Sequence, residues 1–142
     1  MRIRLTSVFI SDIDKALAFY TDVLGFIKKQ DIPMGETRFV TLVSPQEPDG
    51  TELMLEPNGE HPPTKAFKQA LYEEGIPLAA FQVDDLAAEH QRLTDLGVEF
   101  RTTPQRHGTE SMATLDDTCG NWIMLYQTHT GQGMESDETG RP

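Results

Sequence analysis

The sequence predicts an α+β fold made of two copies of one β-α-β-β-β module, and three observations carry that prediction. The stretch VFISDIDKALAFYTDVLGF, Val8 to Phe26, returns with a one-residue gap as FQVDDLAAEHQRLTDLGV, Phe81 to Val98. Each copy is followed by an extended segment and then by two apolar segments joined through turn residues. These are TRFVTLVS to TELMLEP across PQEPDG, and SMATLDD to NWIMLYQ across TCG. Within each copy the apolar residues first alternate and then recur at helical spacing. An internal repeat constrains architecture more than any single motif, because each half tests the reading of the other.

Taken in order, the first strand carries Val8 and Ile10 and runs into Asp12, which is placed to cap a helix of about three turns. Ile13, Ala16, Phe19 or Tyr20, and Val23 or Leu24 form its apolar stripe, and Gly25 ends it. In the second copy Asp85 opens the helix, Leu86, Leu93 and Leu96 form the stripe, and Gly97 closes it. Between the copies, a short helix is expected from about Pro63 to Glu74, with proline in its first turn and Gly75 as its stop. Phe67, Leu71 and Tyr72 are its packing anchors. The expected organisation is a first module over residues 1–57, a helical connector over 58–76, a second module over 77–129 and a flexible polar tail over 130–142.

Alternation sorts every strand into two faces. Val8, Ile10, Leu53 and Leu55 in one copy match Phe81, Val83, Ile123 and Leu125 in the other, and these belong under the helices. The opposite face holds Leu5, Ser7, Phe9, Glu52, Met54 and Glu56, matched by Leu78, Ala80, Gln82, Trp122, Met124 and Tyr126. Such a mixture of aromatics, thioethers and carboxylates suits a surface that meets a small molecule.

The formal charge of −11 is spread along the chain, with 6 basic against 10 acidic residues in 1–60 and 5 against 10 in 61–129. A surface of that sign repels nucleic acid and anionic membranes and is compatible with a cationic ligand. No apolar run approaches the roughly 18 residues of a membrane span, and no secretory segment is visible, so a cytoplasmic location is expected. The single cysteine, Cys119, excludes an internal disulfide and a cysteine-rich zinc site.

Repeated modules carrying A-x-x-F-Y-x-x-x-L-G-F (Ala16 to Phe26) and a turn D-D-T-C-G-N (Asp116 to Asn121) resemble the vicinal oxygen chelate superfamily. That group includes glyoxalase I, extradiol dioxygenases and the bleomycin resistance proteins. The resemblance spans about Met1 to Gln127 and implies a cup-shaped mixed sheet and a homodimer. Enzymes of the superfamily hold a divalent metal in the cup, on a His or Gln of each module's first strand and a Glu of each last strand. Carried over residue by residue, those places fall at Leu5 and Leu78 and at Met54 and Met124, each methionine four residues after a glycine, Gly50 or Gly120. A hard divalent cation needs oxygen or imidazole ligands, so the expectation is no metal and no cofactor, with an apolar floor in place of the chelate. A first hairpin shifted by two residues would instead bring Glu52 or Glu56 to a ligand place.

The candidate ligand-binding residues are therefore Phe9, Ser7, Met54, Gln82, Trp122, Met124 and Tyr126, and the candidate catalytic residues are Glu56, Glu52 and His107. A buried glutamate can serve as a general base. His107 sits in TPQRHGTES, read as a polar loop able to act as a lid. His90, on the helix stripe, and His61, before Pro62, read as structural and exposed respectively, and Cys119 has no neighbouring base. The leading expectation is a protein that binds a cationic or aromatic small molecule without the usual metal. The alternatives are a metal-dependent lyase, isomerase or dioxygenase of the glyoxalase type, a cofactor-free isomerase or lyase with a glutamate base, and a structural or regulatory partner whose cup is filled by its own side chains.

Overall fold

The computed structural model describes residues 1–129, so the expected tail, 130–142, lies outside the described residues. The described chain divides into two compact units, one of residues 1–76 with Asp117–Asn121 and one of Pro77–Asp116 with residues 122–129. None of the described helices is long and apolar enough to cross a membrane.

The first unit contains β1 (Leu5–Phe9), α1 (Ile13–Ala18), β2 (Ile27–Met34), β3 (Thr37–Val43), β4 (Glu52–Glu56) and α2 (Pro62–Glu74). The second contains β5 (Pro77–Gln82), α3 (Leu86–Asp95), β6 (Phe100–His107), β7 (Glu110–Asp116) and β8 (Trp122–Thr128). Each has a four-stranded mixed sheet, in the orders β1-β4-β3-β2 and β5-β8-β7-β6. In both, the first strand runs parallel to the last and the other pairs are antiparallel. The α+β class and the doubled module thus stand as the sequence predicts.

The caps explain where the helices begin. Asp12 accepts the backbone N–H of Lys15, and Asp85 accepts that of Ala88. Gly25 (φ +93°) and Gly97 (φ +89°) then turn the chain through the left-handed region that other residues resist. The first helix departs from expectation in its second half, where Phe19–Val23 forms a π-helical turn in place of a continued α-helix. That wider turn puts two consecutive rings into the core, with Phe19 and Tyr20 edge to face at 5.7 Å between centroids.

In the first unit Val8, Ile10, Val40, Leu42, Leu53 and Leu55 are buried together with Ala16, Phe19 and Tyr20. In the second, Leu86 and Leu93 of α3 are buried along with Ala113, Leu115, Ile123 and Leu125 of its sheet. Helix α2 spans Pro62–Glu74 and stops at Gly75 (φ +73°). Its most buried side chain is none of the expected apolar anchors. It is Lys68, 8% exposed, whereas Phe67 is 49% exposed.

The segment Asp117–Asn121, which follows β7 in sequence, is built into the first unit around one fully buried carboxylate. Asp117 Oδ1 accepts the backbone N–H of Cys119 (2.7 Å) and of Asn121 (3.0 Å). Oδ2 accepts the Tyr20 hydroxyl (2.7 Å) and the Asn121 amide (2.9 Å). The same amide donates to the Phe9 carbonyl at 3.0 Å, so the turn is tied to β1 and to the π-helical turn together. Burial and the adjacent Asp117 charge push the Tyr20 hydroxyl well above its ordinary pKa, so it remains a donor.

Candidate functional site

The strand register decides which side chains share the open face of each sheet. In the first unit Ser7 lies opposite Met54, Met54 opposite Thr41, and Thr41 opposite Gln30, which makes one transverse row across all four strands. In the second unit the row is Ala80, Met124, Thr114 and Thr102. Met54 and Met124 thus occupy equivalent places, each facing a threonine of the preceding strand. The two-residue shift that would bring Glu52 or Glu56 to that place does not occur.

Around Met54 the face is largely apolar. Leu5, Ile32 and Met34 are exposed, Phe39 shares the face opposite Ile32, and Phe9 meets Phe67 of α2 edge to face at 6.4 Å. Phe67 and Phe39 are members of this surface that sequence reasoning missed. The polar groups are fixed. Glu52 Oε1 accepts both the Thr41 hydroxyl and the Gln30 amide at 2.6 Å. Those two bonds hold the carboxyl below the ordinary glutamate range, an effect reinforced by the charges of Lys29 and Arg4. Glu52 is therefore a fixed anion and a poor general base, since a base at neutral pH needs a raised pKa. Glu56 lies opposite Phe9 and is half-buried.

In the second unit Gln82 faces Tyr126, and Tyr126 faces Met112. Gln82 is exposed and Tyr126 half-buried. Trp122 is half-buried and carries the Arg101 guanidinium over its ring, 5.5 Å from the centroid, so the protein's own cation already uses that aromatic surface. Leu78 falls in a register irregularity between Pro77 and Ala79 and has no partner in the β5–β8 ladder.

His107 requires a correction. It belongs to a strand, β6, where it pairs with Glu110 across a tight turn at Gly108 (φ +64°), and it is exposed. It therefore ends a strand beside a hairpin turn and does not lie in a loop between strands. His90 packs on Phe100 at 4.5 Å between ring centroids, and His61 is the exposed residue preceding α2, both as read.

Cys119 is half-buried, and burial together with the Asp117 charge pushes its thiol up to about 11. Alkylation by iodoacetamide at pH 8 is accordingly expected to run roughly 100-fold slower than that of a free cysteine of pKa about 8.5. A rate equal to the free thiol's would contradict this environment.

Among the described residues no three His, Cys, Asp or Glu side chains stand together as a metal-ligand set. Leucine offers no donor atom, and a thioether is a poor ligand for a hard divalent cation, so the residues at the four family ligand places do not fit a glyoxalase-type metal.

Comparison with known proteins agrees with this architecture. The "uncharacterized protein YurT" of Bacillus subtilis (strain 168) is 51% identical over 127 residues, covering 89% of this chain and 99% of its own. A lactoylglutathione lyase of Neisseria meningitidis is 27% identical over 145 residues, covering 98% of this chain and 99% of its own. Among solved structures, UcmS2 superposes with a TM-score of 0.76 at 29% identity over 89% of this chain and 97% of its own. TnmS3, an antibiotic binding protein from Streptomyces sp. CB03234, gives 0.71 at 26% identity over 90% of this chain and 96% of its own. The model of the glyoxalase/bleomycin resistance protein/dioxygenase superfamily matches residues 2–125, and with the doubled module and both sheet orders in place the chain belongs to that superfamily.

Proposed function

We propose that the protein binds a small, cationic, aromatic molecule on the open sheet faces without a metal and without chemistry on the ligand. The observation that carries this reading is the pair of equivalent methionines, Met54 and Met124, at the centre of rows completed by Ser7, Thr41 and Gln30 and by Ala80, Thr114 and Thr102. A thioether is polarisable and adapts to flat rings, and the half-buried Ser7 at the end of the first row offers an orienting hydroxyl. Glu52 supplies a carboxylate held ionised beside that apolar floor, which favours a cationic ligand, and the net charge of −11 favours its approach.

The similarity to an antibiotic binding protein supports the same reading. The similarity to a lactoylglutathione lyase would call for the metal ligands that the four places do not supply. Homodimerisation and a cytoplasmic location belong to the proposal on the family's general pattern. The test is calorimetric titration with proflavine, a planar cationic aromatic, in parallel with its uncharged parent acridine at pH 8. Saturable proflavine binding that persists in EDTA and exceeds acridine binding is expected. Binding that requires an added divalent metal, or turnover of the probe, would overturn the reading.

A further inference from the structure

The first unit also carries a concavity beside α2. A pocket of about 420 Å³ lies between α2 and the Asp117–Asn121 turn, lined among others by Ser11, Gly59, Lys68, Gln69, Tyr72 and Gly120. All of these residues belong to the first unit. The volume lies in the range of roughly 300–1,000 Å³ usual for small-molecule sites.

Lys68 is the chemically distinctive member. It lines the pocket, is only 8% exposed, and its ammonium donates to the Cys119 carbonyl at 2.8 Å. An ammonium has three N–H donors, so this bond leaves two for the space in front of it. Gly120 passes close enough that a Cβ there would stand 3.5 Å from Nζ. The carbonyl that holds Lys68 is itself held, because the Cys119 N–H is fixed by Asp117.

The charges around the ammonium define the ligand class. Asp117 already accepts four hydrogen bonds, and Glu60 is paired with Lys65 at 3.4 Å. Neither neutralises Lys68 by direct contact. Burial outweighs their attraction and lowers the lysine pKa, as expected for an ammonium short of partners. An acceptor anion would relieve that cost. A dianionic phosphate would meet the carboxylates of Glu60 and Glu73 in the pocket wall and a surface of net charge −11. A single carboxylate matches the two remaining donors, and the Tyr72 ring with the lysine stems offers cover for an apolar body.

We propose that this pocket is a binding site for a small monocarboxylate, with Lys68 as the anion-binding residue, independently of any ligand on the open sheet faces.

The test is an NMR titration of ¹⁵N-labelled full-length protein with 3-phenylpropionate and, in parallel, with the uncharged 3-phenylpropanol. The acid is expected to shift the amides of Gly59, Lys68 and Gly120 saturably and to bind about tenfold or more tightly than the alcohol. Lys68→Met should abolish that preference and Lys68→Arg should retain it. Equal binding of acid and alcohol, no saturable shift at those amides, or a preference that survives Lys68→Met would overturn the proposal and leave Lys68 as a tie between α2 and the turn. Shifts confined to Ser7, Thr41 and Met54 would also overturn it, while leaving the reading of the open face intact. Should Lys68→Met fail to fold by circular dichroism, the acid–alcohol comparison in the unmodified protein and in Lys68→Arg decides.

Discussion

Asp117→Ala is expected to destabilise the protein by about 3–5 kcal/mol, because several buried donors lose their acceptor together, each loss costing about 1–3 kcal/mol before relaxation. Asp117 is fully buried and accepts from the Tyr20 hydroxyl, two backbone N–H groups and the Asn121 amide, so its loss breaks four hydrogen bonds at once. Against a total stability of about 5–15 kcal/mol, that brings the protein close to unfolding at physiological temperature. Asp117→Asn should be nearly as damaging, because the amide –NH₂ that replaces one oxygen presents donors to donors. Tyr20→Phe removes the hydroxyl's bond to Asp117 and leaves the other three, and should cost only about 1–2 kcal/mol. Urea unfolding followed by circular dichroism checks the series. An Asp117→Ala loss no greater than that of Tyr20→Phe would show that the network does not hold the turn.

Met54→Lys is expected to weaken proflavine binding roughly 100-fold, or about 2.7 kcal/mol, while leaving the melting temperature within a few degrees. The substitution sets a cation at the centre of the transverse row, between Ser7 and Thr41, where a cationic ring would otherwise lie. Met54 is half-buried on the open face, so a lysine there can carry its ammonium to solvent along its aliphatic stem. Leu96→Lys, at an exposed position of the second unit, is the control for net charge and should leave affinity unchanged. Unchanged affinity in Met54→Lys, measured by calorimetry, would move the ligand off the first unit's open face.

Much of this architecture is legible in the residues because it rests on local chemistry that occurs twice. Asp12 and Asp85 cap helices, Gly25 and Gly97 end them, and the Thr-Leu dipeptides at Thr41 and Thr114 sit opposite equivalent methionines. What escaped the sequence depends on longer range or on weak periodicity. The π-helical turn at Phe19–Val23 occupies only five residues, too few for a period near 4.4 to be told from 3.6. The extended segment that becomes β6 is legible, but its last half, which holds His107, is polar and exposed at all but Pro104, so it shows no alternation and reads as a loop. Lys68 is buried because a turn about 50 residues later supplies a carbonyl, and a lysine in a polar helix reads as solvated. The clamp on Glu52 needs Gln30 brought across β3 by an irregular register that no local pattern announces.

The central claim is that Met54 and Met124 occupy the last-strand metal places of a superfamily that contains metalloenzymes, and that they form a floor for ligand binding instead. Its most direct test is elemental analysis of the untagged protein after incubation with Ni, Zn, Mn and Fe and gel filtration. The account predicts well under 0.1 metal ion per chain for each, with proflavine affinity unchanged by EDTA. A stoichiometric metal that survives gel filtration would contradict it, returning the chain to the metal-dependent enzymes of its superfamily with Glu56 as the first residue to change.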